Sequence, residues 1–194
     1  MKASLARGDA TELRSLALPG HTFKVVALDG NPVPRPHAVQ VLWIGTGERI
    51  SAVVEMKQSG VWVLGDLADD DRAHGMGIVV GYAGGGFNRW TINDVAFDMQ
   101  AMNPMFHLNH GKRYRLRMYN ASDDIHPMHL HRHSFEITRI AGRPTSGVIK
   151  DVVMFGGYQT MDVDFTADQL GLSLFHCHMQ LHMDFGFVAL FDCA

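Results

Sequence analysis

The sequence predicts an all-β protein, a Greek-key β-sandwich built from two repeats of one domain. Two observations lead to the sandwich. Short segments alternate apolar and polar side chains between turn signals, as half-buried strands do. Residues 21–32 also recur 112 residues later as residues 133–144. Two copies of one β domain are the simplest account of both observations.

The alternation is clearest in three segments. Apolar side chains occupy every second position of residues 50–56, 114–118 and 161–165. Successive side chains of a strand point to opposite faces, so each segment presents one apolar face to a core. The pairs Asp29-Gly30 and Gly156-Gly157 are turn signals between such strands.

Weaker similarity extends the repeat. Residues 60–64 parallel residues 171–175, and residues 77–80 parallel residues 186–189. The glycines at 84–86 then mark a boundary. This divides the chain into domains at 1–85 and 86–194.

The first copy is expected to be incomplete. Residues 88–112, which begin the second copy, have no counterpart before Met1.

Composition excludes several classes of protein. The 194 residues carry 17 basic and 20 acidic side chains, and no basic tract indicates nucleic-acid binding. No run of about eighteen apolar residues predicts a membrane span. The N-terminus lacks the apolar core of a secretory signal, which leaves a cytoplasmic protein, a mature form or a truncated chain.

Two histidine-rich segments carry the chemistry. His176-Cys177-His178 is followed by His182, and residues 126–131 hold three more histidines. Thiolate and imidazole are ligands for copper, zinc or iron. So many histidines, two pairs of them at strand spacing, do not fit ordinary core histidines.

Strand parity separates these ligands into two sets. His176 and His178 look one way from a strand while Cys177 looks the other way. His126 has the opposite parity to the His129 and His131 pair and precedes a proline, which favours an extended or turn conformation. The predicted partition is one metal held by His126, Cys177 and His182, and a second, multinuclear site of His129, His131, His176 and His178. The first set is that of a blue-copper electron-transfer centre.

Zinc is the main rival metal. Structural zinc sites usually hold four ligands, often with paired cysteines. Cys193 is the only other cysteine of the chain, so copper is favoured. A disulfide between the two cysteines would abolish the metal centre, and Cys193 is therefore expected to be a free or intermolecular thiol.

Residues 126–135 and 176–187 resemble the two C-terminal copper motifs of the multicopper oxidases, the laccase-like family. The resemblance implies the cupredoxin fold and assigns the ligands. It gives the type 1 copper to His126, Cys177 and His182, the type 2 copper to His129, and the type 3 pair to His131, His176 and His178. His133 belongs to the motif without being a ligand. Phe187 takes the axial position of the type 1 site, where some members have Met, so a raised potential is expected.

The resemblance also implies an activity. A reducing substrate gives single electrons to the type 1 copper through His182 or His126, and Cys177 passes them to His176 and His178. Four electrons reduce dioxygen to water. Phenols, bilirubin-like pigments and cuprous or ferrous ions all stay open as substrates, and the location implied is periplasmic or extracellular. Asp184 is a candidate proton acceptor at the rim of the type 1 site, with a hydrogen-bonded turn carboxylate as the alternative.

The first copy cannot bind the same coppers. At the repeat offset, His126, His129 and His131 fall on Arg14, Ala17 and Pro19. The His-Cys-His segment falls near residues 65–67. The first copy is thus expected to be a copper-free domain.

The trinuclear cluster is expected to be half supplied. In the family it takes eight histidines, four of them from another domain that carries two His-x-His pairs. No His-x-His occurs here before residue 129. Another polypeptide, an N-terminal region of a longer oxidase or a second copy of the chain would complete it. The four histidines are therefore expected to face a protein surface. The alternative function is an electron-transfer or copper-binding cupredoxin without oxidase activity of its own.

Two further segments have weaker signals. Residues 69–71 are three aspartates, expected to form a solvated turn. Soft or imidazole ligands also cluster between positions 99 and 110. They could relay cuprous ions, but a surface strand and loop is favoured; they are Met99, Met102, Met105, His107 and His110.

Overall fold

The structure is a computed structural model that describes residues 2–6, 13–56, 60–67 and 89–194. Within these ranges the regular secondary structure is all strand apart from one short helix, which confirms the predicted fold class. The strands of the first repeat are β1 (Lys2–Ala6), β2 (Arg14–Ala17), β3 (Phe23–Leu28), β4 (Asn31–Val39), β5 (Val41–Ile44), β6 (Arg49–Val54) and β7 (Gly65–Asp66).

The second repeat contains strands and one short helix. Its elements are β8 (Phe106–Leu108), β9 (Arg113–Tyr119), β10 (His126–Leu130), β11 (Phe135–Ile140), β12 (Arg143–Lys150), β13 (Val152–Phe155), β14 (Thr160–Thr166), β15 (Gly171–Cys177), α1 (Gln180–Asp184) and β16 (Val188–Cys193).

Each repeat is built from two sheets that share a core. The first repeat has the strand orders β1-β6-β3-β4 and β5-β2-β7, and the second has β9-β14-β11-β12 and β13-β10-β15-β16-β8. Buried side chains from both sheets form one apolar cluster in each repeat. Along β9, Tyr114, Leu116 and Met118 face inward between exposed arginines, as the alternation predicts.

The strand registers reproduce the repeat in detail. Leu16 lies opposite Asp66 where β2 pairs with β7, and Met128 lies opposite Cys177 where β10 pairs with β15. A register shift between Val25 and Ala27 of β3 recurs at the equivalent place in β11. A bulge in the same place of both copies indicates one ancestral sheet, because bulges are retained features of a fold.

The two copies differ at the edge of the second sheet. Residues 60–64 parallel residues of β15 in sequence. Within residues 60–67, however, only β7 is a strand. Val61 is 96% exposed and Val63 72% exposed. The physical reason is the lack of a neighbour: β15 lies between β10 and β16, whereas β7 has a strand on one side only within the described ranges.

Some expectations fall outside the described residues. The aspartates at 69–71, the parallel at 77–80 and the boundary at 84–86 are among them. In the part of the chain that is described, no helix is long and apolar enough to cross a membrane.

Candidate metal centre

Three buried side chains of the second repeat converge on one point. The Cys177 Sγ lies 3.7 Å from His126 Nδ1 and 3.6 Å from His182 Nδ1. The two Nδ1 atoms lie 3.1 Å apart. A metal at the usual ~2.0 Å from nitrogen and ~2.3 Å from sulfur would separate trigonal donors by roughly 3.5–3.7 Å. The two imidazoles and the thiol therefore fit one metal ion, without a carboxylate in the set.

Local structure explains how these residues meet. Cys177 ends β15, and its backbone N–H donates to the Phe187 carbonyl. The chain then turns through α1, where the His182 N–H donates to the Met179 carbonyl and the ring faces back toward Cys177. His126 begins β10, the strand beside β15.

Burial sets the protonation of the centre. It raises the pKa of the Cys177 thiol to about 12. It also lowers the pKa of His126 to about 4, assisted by the neighbouring His182, whose own pKa is lowered by burial. At neutral pH the metal-free site thus holds neutral imidazoles with free lone pairs and a protonated thiol. Metal binding would release the thiol proton.

A hydrogen-bond chain fixes the tautomer of His126. The Ser122 Oγ donates to the Asn120 Oδ1 at 2.9 Å and lies 2.8 Å from His126 Nε2. The single hydroxyl hydrogen is used by Asn120, so Ser122 accepts from the His126 Nε2–H. The Nδ1 lone pair is left to face Cys177, as outer partners of metal-binding histidines commonly arrange. Sequence reasoning missed both Asn120 and Ser122.

Aromatic rings cover the centre. The Trp90 ring lies 4.0 Å from His182 and 5.0 Å from His126, centroid to centroid, and stacks on Phe187 at 5.7 Å. The backbone N–H of Trp90 donates to the backbone carbonyl of Phe185, and this bond holds the segment over the end of α1. Phe187 itself lies edge-on to His126 at 4.8 Å. Trp90 was missed because nothing in its spacing relates it to residues 126–182.

The other four histidines form a second group. Ring centroids are 4.6 Å apart for His129 and His131, 5.4 Å for His129 and His178, and 5.3 Å for His176 and His178. The Nε2 atoms of His131 and His176 approach to 2.9 Å. His176 and His178 lie on the side of the strand opposite the Cys177 thiol, as parity predicts.

Backbone carbonyls orient two of these rings. His129 Nδ1–H donates to the Asp151 carbonyl at 2.7 Å, and His176 Nδ1–H donates to the Cys177 carbonyl at 2.8 Å. Each Nε2 is left as the ligand atom. Burial lowers the pKa of His176 to about 4 and also lowers the pKa values of His131 and His178.

The expected surface position of this group is only partly correct. His129, His131 and His178 are half-buried, but His176 is buried. The reason is its place on β15, a central strand paired on both sides, and its contact with His131.

His133 and its counterpart in the first repeat, His21, make the same hydrogen bond. His133 Nδ1–H donates to the His131 carbonyl at 3.0 Å, and His21 Nδ1–H donates to the Pro19 carbonyl at 3.0 Å. A bond that both copies keep supports a turn-forming role for this histidine.

Other candidate residues lie apart from these groups. Asp184 is exposed, and its Oδ1 accepts a 2.6 Å hydrogen bond from the Gln180 Nε2 within α1. This hydrogen bond fits the alternative interpretation of Asp184 as a hydrogen-bonded turn carboxylate. Its role as a proton acceptor stays a prediction.

Cys193 is free, as predicted, but it is buried in the core and directs its thiol at the Ala167 carbonyl. Of the two expected alternatives, a free or an intermolecular thiol, the burial of the sulfur favours the free thiol.

The methionines between positions 99 and 105 fit the surface interpretation. Met99 and Met102 are exposed, and Met105 packs against the core. His107 lies 3.7 Å from Asp192, and His110 contacts the Asp168 carbonyl.

A two-repeat β-sandwich with a buried two-His, one-Cys set defines a cupredoxin-like class of protein. Comparison with known proteins gives the family. Two family models, each described as multicopper oxidase, match residues 72–193 and 5–68. The chain belongs to the multicopper oxidase family.

Individual relatives agree with this family. The chain is 27% identical over 224 aligned residues to the multicopper oxidase MmcO of Mycobacterium tuberculosis, covering 91% of this chain and 43% of that protein. It is 33% identical over 112 residues to the bilirubin oxidase of Albifimbria verrucaria, covering 53% of this chain and 20% of that protein. The chain thus spans less than half the length of these relatives.

Solved structures show the same fold. A multi-copper oxidase from Pseudomonas thermotolerans superposes with a TM-score of 0.77 at 23% identity, covering all of this chain and 55% of that one. The multicopper oxidase Fet3p, described as functioning in iron import, gives a TM-score of 0.75 at 14% identity, covering 98% of this chain and 55% of that one.

Proposed function

We propose that this chain is the C-terminal part of a laccase-like multicopper oxidase. One observation carries the proposal: a single strand end offers Cys177 to one histidine pair and offers His176 and His178 to a second group of histidines. A simple electron carrier has no use for the second group. The first repeat would be a copper-free domain.

The residues of the first group fit one copper ion, and the four histidines of the second group would bind copper together with further histidines. His126, Cys177 and His182 would hold a type 1 copper, because two imidazoles and one thiolate are the ligands of blue-copper centres. His129 would bind a type 2 copper, and His131, His176 and His178 a type 3 pair. Phe187, which lies edge-on to His126, has no atom that could coordinate a metal.

The copper ions would supply the one-electron chemistry, and the protein supplies orientation, exclusion of water and a path between the groups. Trp90 and Phe187 shield the buried imidazoles from water. The peptide bonds that join Cys177 to His176 and His178 give electrons a covalent route from one group to the other.

The rim of the type 1 group favours an aromatic reductant. Leu181 and Phe185, on either side of His182 in sequence, are exposed, and the Phe185 carbonyl accepts from the backbone N–H of the half-buried Trp90. Apolar exposed side chains of this kind bind phenol-like rings better than hydrated metal ions. Dioxygen would be the electron acceptor, and a periplasmic or extracellular location stays a prediction.

Completion of the cluster requires four more histidines. We propose that another polypeptide, an N-terminal region or a second copy supplies them at the half-buried faces of His129, His131 and His178.

Copper stoichiometry and colour test this function. The copper-loaded chain should bind more than one copper and show an intense visible band from the thiolate–copper bond. Cys177→Ser should abolish the band and retain the fold, since Ser is close to Cys in size. Cys193→Ser is the matched control, a second buried cysteine outside the group, and should stay blue. A colourless wild type with full copper loading would contradict the type 1 assignment.

The alternative is an electron-transfer or copper-binding cupredoxin. The four histidines that this chain does not supply favour it for the isolated chain. A single copper per chain, bound at Cys177 only, would support the carrier over the oxidase.

A further inference from the structure

A tight turn of the first repeat lies against the four-histidine group. Residues 45–49 form this turn, in which the Glu48 N–H donates to the Gly45 carbonyl and the Gly45 N–H donates to the Glu48 carboxylate at 2.8 Å. Gly47 at its tip has a φ of +80°, a conformation that L side chains rarely adopt. The 45–49 turn is thus held in one shape by its own glutamate.

The tip of the turn touches a proposed copper ligand. A Cβ atom placed on Gly47 would lie 2.6 Å from the His178 Cδ2 and 2.9 Å from its Nε2. These separations are well inside van der Waals contact. Only glycine lets the backbone approach the edge of the His178 ring in this way.

The base of the turn is bound to the second repeat by charged groups. Arg49 donates to the Asp151 Oδ2 at 2.6 Å, and Glu48 lies 2.9 Å from the Lys150 Nζ. Asp29, in the adjacent turn, lies 3.2 Å from the same Nζ. Lys150 and Asp29 are buried, so removing one partner leaves an uncompensated charge.

This charged cluster leads directly to a second ligand. The Asp29 Oδ2 accepts from the backbone N–H groups of Asp151 and Val152, each at 3.3 Å. The carbonyl of Asp151 in turn accepts the His129 Nδ1–H at 2.7 Å. Asp29 and Arg49 therefore fix the peptide that sets the tautomer and direction of the His129 ring.

We propose that the first repeat, although it offers no copper ligands in its described part, is the positioning element of the four-histidine group. Gly47 sets His178 by contact, and Asp29 with Arg49 sets His129 through Asp151. The inference rests on the proposed function in one respect, that the four histidines bind copper. This role differs from packing at the interface between the repeats. If the contacts served packing alone, breaking them would lower the free energy of unfolding and leave the second copper site unchanged.

Two glycine variants separate positioning from stability. Gly47→Ala forces a Cβ onto His178, whereas nothing lies within 4 Å of a Cβ on Gly20, whose φ of +79° is nearly the same. Gly20→Ala is thus a control with matched backbone strain in the same repeat. Copper titration of the full chain should show about 10- to 100-fold weaker binding at the four-histidine group for Gly47→Ala. Gly20→Ala should bind as the wild type does.

A second pair of variants tests the charged link. Arg49→Met removes the bond to Asp151. Arg115→Met removes an exposed ion pair with Asp164, between β9 and β14 of the sheet that does not include β10 or β15. Arg49→Met should weaken the same copper about tenfold and change its electron paramagnetic resonance spectrum. Arg115→Met should change neither, and Arg49→Lys should restore part of the affinity.

The visible band of the Cys177 copper is the internal reference and should be unchanged in all five variants. If the wild type binds a second copper and both Gly47→Ala and Arg49→Met bind it as their controls do, the inference is wrong. If the wild type binds no copper outside the Cys177 group, the proposed function fails and the positioning role fails with it.

Discussion

Arg14 and Asp66 form an ion pair, 3.2 Å from Nη1 to Oδ2, at the place in the first repeat where the second repeat has His126 and Cys177. The strand registers establish this equivalence, because Asp66 lies opposite Leu16 as Cys177 lies opposite Met128. A guanidinium and a carboxylate thus hold together two strands that, one repeat later, bring together an imidazole and a thiol.

This ion pair predicts where copper does not bind. Replacing Arg14 by Gln and Asp66 by Asn should leave copper per chain and the visible band unchanged. The free energy of unfolding should fall by about 1 kcal/mol, the size expected for a partly exposed pair. Urea unfolding and metal analysis measure the two effects. Loss of the visible band from a double variant that stays folded would contradict the expectation that this pair lies outside the copper centre.

Phe187 predicts the potential of the type 1 site. Phe187→Met should add a weak thioether ligand and lower the reduction potential, because the axial ligand tunes blue-copper potentials. Phe185→Met is the control, since Phe185 is exposed two residues away and does not join the ring cluster in the described contacts. Redox titration of the visible band measures both. An unchanged potential in Phe187→Met at full copper loading would show that position 187 is not axial.

Ser122 predicts the affinity of the same site. Ser122→Ala removes the acceptor of the His126 Nε2–H, so the ring can turn or change tautomer. The type 1 copper should bind about 10- to 100-fold more weakly, the usual effect of losing an outer partner. Ser173→Ala removes a buried hydroxyl that has no hydrogen-bond partner in the described structure and should have no such effect. Equal affinities of the two variants, measured by competition with a chelator, would contradict the role of Ser122.

Burial of histidines predicts acid sensitivity of the metal-free protein. The pKa values of His126 and His176 are about 4 in the folded chain, below the ordinary 6.5. Between these values the unfolded chain binds more protons than the folded one. The free energy of unfolding should therefore fall as the pH drops from about 6.5 to about 4, and these two groups should add nothing below that.

Urea unfolding at a series of pH values measures this slope. His126→Gln should flatten it, whereas His107→Gln should not, because His107 is 74% exposed. A slope that is identical in the wild type and in His126→Gln would show that His126 is not responsible.

The sequence by itself determined the fold class and the division of the candidate ligands into two groups. Period-two alternation is local, so the faces of β9, β10 and β15 could be read from neighbouring positions. Parity placed Cys177 opposite to His176 and His178 because a strand allows no other arrangement. The 112-residue repeat, read from the sequence, showed that Arg14 stands in the first copy where His126 stands in the second. The domain boundary at 84–86 stays a prediction.

Tertiary structure decided what surrounds the ligands. Trp90, Ser122, Gly47 and Asp29 belong to loops and turns. No periodicity links the first three to the histidines that they contact, or Asp29 to His129, which it reaches through Asp151. The same holds for Cys193, whose burial follows from where β16 packs. Local sequence fixes the direction of a side chain on a strand, but the partner that it meets depends on how distant segments pack together.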